Sequence, residues 1–465
     1  GMVFSSGVFL YVFLPLFLAV YYSVPRRAKA WVLSLASYVF YGAWRPDFVL
    51  LMWVSTLVDF TCGNGIRRDR AAGRDGKRWV WVSCIANLGL LGYFKYANFG
   101  VDTLNALLAA AGHDPIPWVE IALPVGISFY TFQTISYTVD VYRGHAEPVR
   151  SFGDFACYVA MFPQLVAGPI VRYRAVAEQL HSRTHTLEKF ATGVLMFQAG
   201  LAKKILLADT IGTVVDATFA LEHPSALEAW VASYGYAFQV YFDFSGYSDM
   251  AIGLGLMIGF RFPINFNRPF ISRSITEFWR RWHISLSSFL RDYLYIPLGG
   301  NQKGTFRTYF NLATTMMLCG LWHGANWKFI VFGALHGTML IAERLSGKRS
   351  LYSWLPGPLE IAVTFTLLVM SFPFFRGESV TQAMTMLRAM VGIDAGPGSG
   401  VLGELNATHA IAAIIGAIII WAAPTTQRLA AAPPRWWPIL VQLLFVLALI
   451  HLHRAETVPF LYFQF

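Results

Sequence analysis

Between Trp230 and Phe260 the chain reads WVASYGYAFQVYFDFSGYSDMAIGLGLMIGF, a run in which only Asp243 and Asp249 carry charge. A helical crossing of a bilayer takes about 20 predominantly apolar residues, so this run is long enough to cross by itself. Similar runs recur from Val3 to His451 with short polar breaks, and 56% of the 465 residues are hydrophobic while 13% are charged. A water-soluble core cannot hide that much apolar surface. Lipid is therefore the solvent, and at membrane depth the backbone must satisfy its own hydrogen bonds, which favours helices. The sequence reads as an all-α integral membrane protein with roughly ten to twelve crossings or partial crossings, and as one transmembrane domain over residues 1–465.

Outward from that run, the chain is punctuated by charge and proline. The run Phe9 to Tyr22 has no basic residue before it and no small-residue cleavage site after it, so it reads as a crossing rather than a signal peptide. Gly1 before Met2 reads as an addition to the native start. A second apolar region, Ala30 to Phe60, is broken at Arg45-Pro46-Asp47. Basic clusters at Arg26, Arg27 and Lys29 and from Arg67 to Arg78 then fall on the cytoplasmic side, with the N-terminus outside. From Phe155 to Ile170 the run is short, carries Pro163 and Pro169, and is flanked by arginines, the pattern of a broken or re-entrant helix. Gly255 and Gly259 form a small-xxx-small pair suited to close approach of a neighbouring helix. From Phe262 to Arg307 the chain turns polar, arginine-rich and aromatic, as a cytoplasm-side or half-buried insertion would. Ala395 to Gly403 is a glycine-rich loop.

The formal charge of +10 does not indicate nucleic acid, because the basic residues sit in short loops between apolar runs, where membrane topology uses them. The four cysteines, Cys62, Cys84, Cys157 and Cys319, have neither paired nor metal-ligand spacing, and no metal site is expected.

Ionisable residues within apolar runs are costly and mark where function concentrates. Asp243 and Tyr247 share one helical face, and Ser245 and Asp249 another, each pair one turn apart. Two acids at membrane depth need partners, for which Arg280, Arg281 and Arg291 are the candidates; a structural ion-pair network and a part in chemistry both remain open. In Glu277 to Ser287 (EFWRRWHISLS), the aromatic and cationic interleaving suits an interface belt, yet His283 sits among hydroxyls where the chain re-enters an apolar run. In Gly320 to Trp327 (GLWHGANW), His323 closes a crossing and is followed by a glycine that leaves room at the ring, with Asn326 nearby. His336 lies in the next run. Histidine is the side chain that exchanges a proton near neutral pH, although an isolated one on a helix is more often a satisfied core residue. Arg280, Arg281, Arg291 and Lys303 form a basic rim that suits phosphates and equally fits positive-inside bias.

These residues carry a resemblance. Tyr241 to Gly255 (YFDFSGYSDMAIGLG), Ser274 to Gly300 (SITEFWRRWHISLSSFLRDYLYIPLGG) and Gly320 to Asn326 (GLWHGAN) resemble the signatures of the bacterial branch of the membrane-bound O-acyltransferase family. Met2 to Ser6 (MVFSS), Gly92 to Gly100 (GYFKYANFG), Leu123 to Tyr130 (LPVGISFY) and Ala167-Gly168-Pro169 add to it. The motifs concentrate between about residues 120 and 345, and the likeness weakens after Arg376. The resemblance implies a helical bundle with re-entrant segments around a tunnel, and an O-acetyltransferase of the bacterial inner membrane. His323 matches the family's catalytic histidine and His283 its partner position. Trp322, Asn326, His336, Asp243, Ser245 and Asp249 would support the site or line the tunnel, and Arg280, Arg281 and Arg291 would meet the donor. The donor implied is acetyl-CoA, with no bound cofactor. The expected partners are membrane lipid, periplasmic acetyltransferases and a polysaccharide synthesis and export complex. Alginate leads as the acetylated polymer, with cellulose and peptidoglycan open. The non-enzymatic alternative is a pore for an acetyl carrier, which would use Asp243 and Asp249 and tolerate loss of His323.

Overall fold

The computed structural model describes residues 2–347, 349–454 and 460–461, and among them every regular element is helical. Among the described residues, four helices are long and apolar enough to cross a membrane by length and composition alone: Pro46–Ala71, Leu187–Phe219, Gly357–Arg376 and Trp436–Arg454. The larger number expected from run lengths also took in shorter apolar helices, such as Phe9–Ser23 and Ala407–Trp421, and broken segments. The chain forms two compact units, Gly1–Ala191 with Leu254–Pro263, and Thr192–Gly253 with Ile264–Phe465.

In the first unit, α1 (Phe9–Ser23), α2 (Arg26–Gly42) and α3 (Pro46–Ala71) follow the expected runs, and the break before α3 falls at Arg45. Pro46 opens α3 where its missing N–H is not needed, and Asp47 in the first turn suits the positive end of the helix dipole. The basic loop after α3 folds onto an acid of its own: Asp69 accepts from Arg74 at 2.6 Å, Arg78 at 2.8 Å and the Trp79 indole at 3.0 Å.

Inside this unit α3 is tied to α4 (Lys77–Leu91) and α5 (Ile127–Arg143) through the buried Asp59. The carboxylate accepts from Ser83, from Thr138 at 2.6 Å and from Asn87 at 2.6 Å, and the Asn87 carbonyl in turn accepts from Ser55 at 2.6 Å. Neutral donors thus satisfy a buried acid and join three helices. The broken segment is also present. Helix α6 (Phe152–Ala160) stops before Met161, a single turn spans Phe162–Leu165, and the chain then passes through a turn and a bend over 166–168 and on without regular structure through Ile170. Its backbone is covered by protein: Phe162 N–H donates to Ser37 at 3.0 Å, and the Gln164 amide donates to Tyr158 O at 2.6 Å.

In the second unit, α7 (Leu187–Phe219) and α8 (Ala226–Met257) meet through glycines. A Cβ at Gly200 would stand 2.4 Å from Gly246 O, and one at Gly253 would stand 2.5 Å from Gly193 O. The sequence had pointed to Gly255 and Gly259 instead. Gly255 packs on Phe262, and Gly259 lies past the end of α8 at a φ of +87°, so neither serves a helix seam.

Over Lys203–Asp209 the α7 backbone is a π-helix, in which the extra residue shifts the side-chain register. Lys203 and Lys204 there meet the acids of α8: Lys203 pairs with Asp249 at 2.6 Å and Lys204 with Asp243 at 2.8 Å. These lysines, not Arg280, Arg281 or Arg291, neutralise the two acids, a correction that follows from α7 being the helix packed on α8.

The rest of this unit builds α9 (Ile275–Arg281), α10 (Ile284–Leu290), α11 (Thr305–His323), α12 (Trp327–Leu345) and α13 (Gly357–Arg376). The polar insertion is half-buried as expected, with Phe266, Phe270, Trp279, Trp282 and His283 inside. Helices α11 and α12 form a tight hairpin. A Cβ at Gly320 would lie 2.0 Å from Phe329 O, and one at Gly333 would lie 2.3 Å from Met316 O.

Candidate active site

His323 ends α11, and the chain turns at once into an extended Gly324 whose would-be Cβ overlaps the Phe329 ring at 2.2 Å. Only glycine fits there, so the hairpin leaves the histidine on the last residue of its helix. The ring is buried, with its centroid 5.2 Å from the Trp322 ring and 5.1 Å from Phe375. Phe375 is held from α12. Lys328 reaches the carbonyl ends of α13, donating to Phe375 O at 3.2 Å and to Gly377 O, where a cation also suits the negative end of the helix dipole.

His283 comes from the other side. It joins α9 to α10 in the left-handed region, at φ 45° and ψ 54°, sparsely populated by residues other than glycine. Strained residues of this kind persist only where the surroundings over-determine them. Here two anchors do so. The Glu343 carboxylate of α12 accepts from the Ile275 and Thr276 N–H groups at 2.7 and 2.9 Å and from the Thr276 hydroxyl at 2.6 Å, fixing the start of α9. Asn267 N–H donates to Arg281 O, Ile284 N–H donates to Asn265 O, both at 2.9 Å, and the Asn265 side chain receives Ser285. His283 is fully buried, its centroid 6.2 Å from His323, 5.8 Å from Trp322 and 4.6 Å edge-on from Phe244 of α8.

The structure therefore brings His323, His283 and Trp322 together in an aromatic enclosure of Phe244, Phe266 and Phe375. The remaining candidates lie elsewhere. Asn326 caps α12, its carbonyl accepting Lys328 N–H at 3.0 Å and its amide donating to Glu378 O at 3.3 Å, so both ends of that side chain are engaged. His336 is buried one layer away, accepting from the Trp279 indole at 3.1 Å and paired with Ser371 at 3.0 Å. Ser245 and Asp249 share a buried face of α8. Both acids are engaged away from the histidines: Asp243 also accepts Leu461 N–H at 2.9 Å, and Asp249 accepts Gln427 at 2.9 Å. Arg281 pairs with Glu277 at 2.8 Å and Arg291 with Asp292 at 2.7 Å, while Arg280 is exposed. Among the described residues no group of three or more His, Cys, Asp or Glu side chains is placed to hold a metal.

Sequence reasoning missed Lys203, Lys204, Glu343 and Asn265. The two lysines stood in plain view as charges inside an apolar run. Glu343 and Asn265 gave no local signal, because their partners lie far along the chain.

The helical bundle thus buries two histidines side by side, their rings tilted at 45° to one another, each held in place by the neighbouring elements. Residues 145–373 match the model of the membrane-bound O-acyltransferase family. The relative "Probable alginate O-acetylase AlgI" of Pseudomonas putida is 45% identical over 490 residues, covering 100% of both chains. The protein of that name in Pseudomonas aeruginosa is 49% identical over 419 residues, covering 90% of this chain and 80% of its own. The "Peptidoglycan O-acetyltransferase" of Helicobacter pylori is 34% identical over 429 residues, covering 84% and 80%. The chain belongs to the membrane-bound O-acyltransferase family. It is a multi-pass membrane protein and an O-acyltransferase.

Proposed function

We propose that this protein takes acetyl from acetyl-CoA on the cytoplasmic face of the bacterial inner membrane and delivers it for O-acetylation of alginate, handing it to periplasmic acetyltransferase partners of the polysaccharide assembly. The observation that carries this reading is the buried juxtaposition of His323 with His283 and Trp322. Its support for alginate is the 45–49% identity to relatives named for that polymer; the 34% relative named for peptidoglycan fits the same chemistry with a different acceptor.

A hydroxyl is a poor nucleophile until a base takes its proton. His323 accepts that proton as the acceptor oxygen attacks the thioester carbonyl carbon. The tetrahedral oxyanion collapses, the carbon–sulfur bond breaks, and the thiolate leaves with the proton returned from His323, giving an ester and a thiol. A well-placed base contributes roughly 10²- to 10⁴-fold; positioning in an enclosure of aromatic rings supplies the rest. The basic rim of Arg280, Arg281, Arg291 and Lys303 meets the phosphates of the donor. A pore that used the α8 acids is the poorer reading, since each acid is closed off by a lysine.

The test is polymer-bound acetyl ester in cells carrying His323→Ala, with the variant's level in the membrane measured alongside. Loss of ester with normal export of the polymer is the expected outcome. Unchanged acetylation would remove His323 from the chemistry.

A further inference from the structure

The carbonyl of the Asn265 side chain is committed: it accepts the Ser285 N–H at 3.2 Å and the Ser285 hydroxyl at 2.9 Å, at the first turn of α10. Because a backbone N–H must meet an oxygen, that contact fixes which end of the amide is which. The other end, the Nδ2 amine, has two hydrogens and no hydrogen-bond partner among the described residues, in a residue with 0% of its surface exposed. A buried donor left unmatched costs about 1–3 kcal/mol, and such groups call for an explanation. Its surroundings give one. Asn265 O takes the N–H of Ile284, the residue after His283, and the adjacent Phe266 ring lies 4.9 Å from Phe244 and 6.5 Å from His283, within the same enclosure.

We propose that Asn265 is a further catalytic residue, whose Nδ2–H donates to the carbonyl oxygen of the acyl group as that oxygen becomes negative. The proposal rests on the acyltransfer reading above. A rigid donor in a water-poor site needs no reorganisation when charge develops, and its pre-existing desolvation makes it worth more there than in water. Anchoring by Ser285 supplies the rigidity. Asn326, by contrast, has both ends of its amide occupied.

Asn265→Asp keeps the acceptor facing Ser285 and replaces the donor at nearly constant shape. Acetyl transfer by the purified full chain, with kcat and KM for the acetyl donor and the melting temperature, is compared among this variant, Ser285→Ala and His323→Ala. The expected result for Asn265→Asp is a kcat lower by ~10²- to 10³-fold, as for other oxyanion donors, with KM near that of the parent and a fall in melting temperature, from the buried carboxyl, no larger than that of Ser285→Ala. Ser285→Ala should lower the melting temperature more than kcat. A kcat for Asn265→Asp near the parent's would overturn the proposal, as would losses in both variants that simply track lost stability. Should Asn265→Asp fail to reach the membrane, Asn265→Ser is judged by the same criteria. Activity retained in His323→Ala would instead strike the underlying reading, whereas an inactive His323→Ala beside an active Asn265→Asp would remove Asn265 alone.

Discussion

His336 and His323 sit on consecutive helices, both buried, yet their surroundings assign them different work. At His336 every polar atom is accounted for. The Trp279 indole N–H donates to Nδ1, so Nε2 carries the proton and donates to Ser371, whose hydroxyl donates to Leu368 O at 2.7 Å. Replacing the ring by His336→Ala leaves a buried indole N–H unmatched and a cavity behind it. The expected cost is about 2–4 kcal/mol, read as thermal unfolding in detergent, with acetyl transfer per folded molecule retained. Full stability with lost transfer would place His336 in the reaction instead. From the sequence the two histidines differed only in their neighbours, and the motif around His323 carried the distinction. The partners that pacify His336 come from α9 and α13, a juxtaposition that no local pattern encodes. Asn326 shows the same limit from the opposite side: a polar residue one turn beyond His323 looked available to a ligand, and its position at the start of α12 makes it a cap.

At the scale of elements, glycine decides how closely α11 and α12 approach, and with it where His323 ends. Gly320→Ala would drive a methyl group into Phe329 O at 2.0 Å, contact with backbone that cannot swing aside, so the hairpin must spread. The expected outcome is a sharp fall in folded, membrane-resident protein. Gly89→Ala in α4 is the counterpart, since nothing lies within 4 Å of the added methyl; it should leave stability unchanged or raise it by up to ~1 kcal/mol through helix propensity. Equal behaviour of the two variants, read by size-exclusion recovery and thermal unfolding, would contradict the packing argument. Element positions were largely legible: the break before Pro46, the broken segment at Pro163 and the hairpin after His323 all followed from proline, glycine and run length. The glycine seam was not. Spacing finds small residues on one face, but only the fold says which face has a neighbour, and the neighbour of α8 meets Gly246 and Gly253 rather than Gly255 and Gly259.

Across the whole molecule, buried charge is handled in two ways. The first unit satisfies Asp59 with neutral hydroxyl and amide donors; the second pairs Asp243 and Asp249 with lysines from the π-helical part of α7. Removing one member of such a pair strands the other charge away from water. Lys204→Met, which strands both Asp243 and Asp209, is therefore expected to cost about 3–5 kcal/mol, and the double variant Lys204→Met with Asp243→Leu, which leaves only Asp209 without its cation, to recover part of that loss; a double variant less stable than Lys204→Met would show that Lys204 and Asp243 do not act as a unit. Membrane residence was legible from composition alone, and the family from its motifs. Which cation meets which acid was not, because charge pairs are made by packing. On the proposed function, His323 promotes movement of acetyl from acetyl-CoA to the far side of the membrane, where it reaches the polymer through periplasmic partners. The most direct measurement uses inverted inner-membrane vesicles given labelled acetyl-CoA outside, with label in ester linkage counted in the protected lumen. Vesicles with the parent chain should accumulate lumenal ester, and those with His323→Ala at equal protein level should lose it by at least ~10²-fold. Equal accumulation in the two would contradict the account.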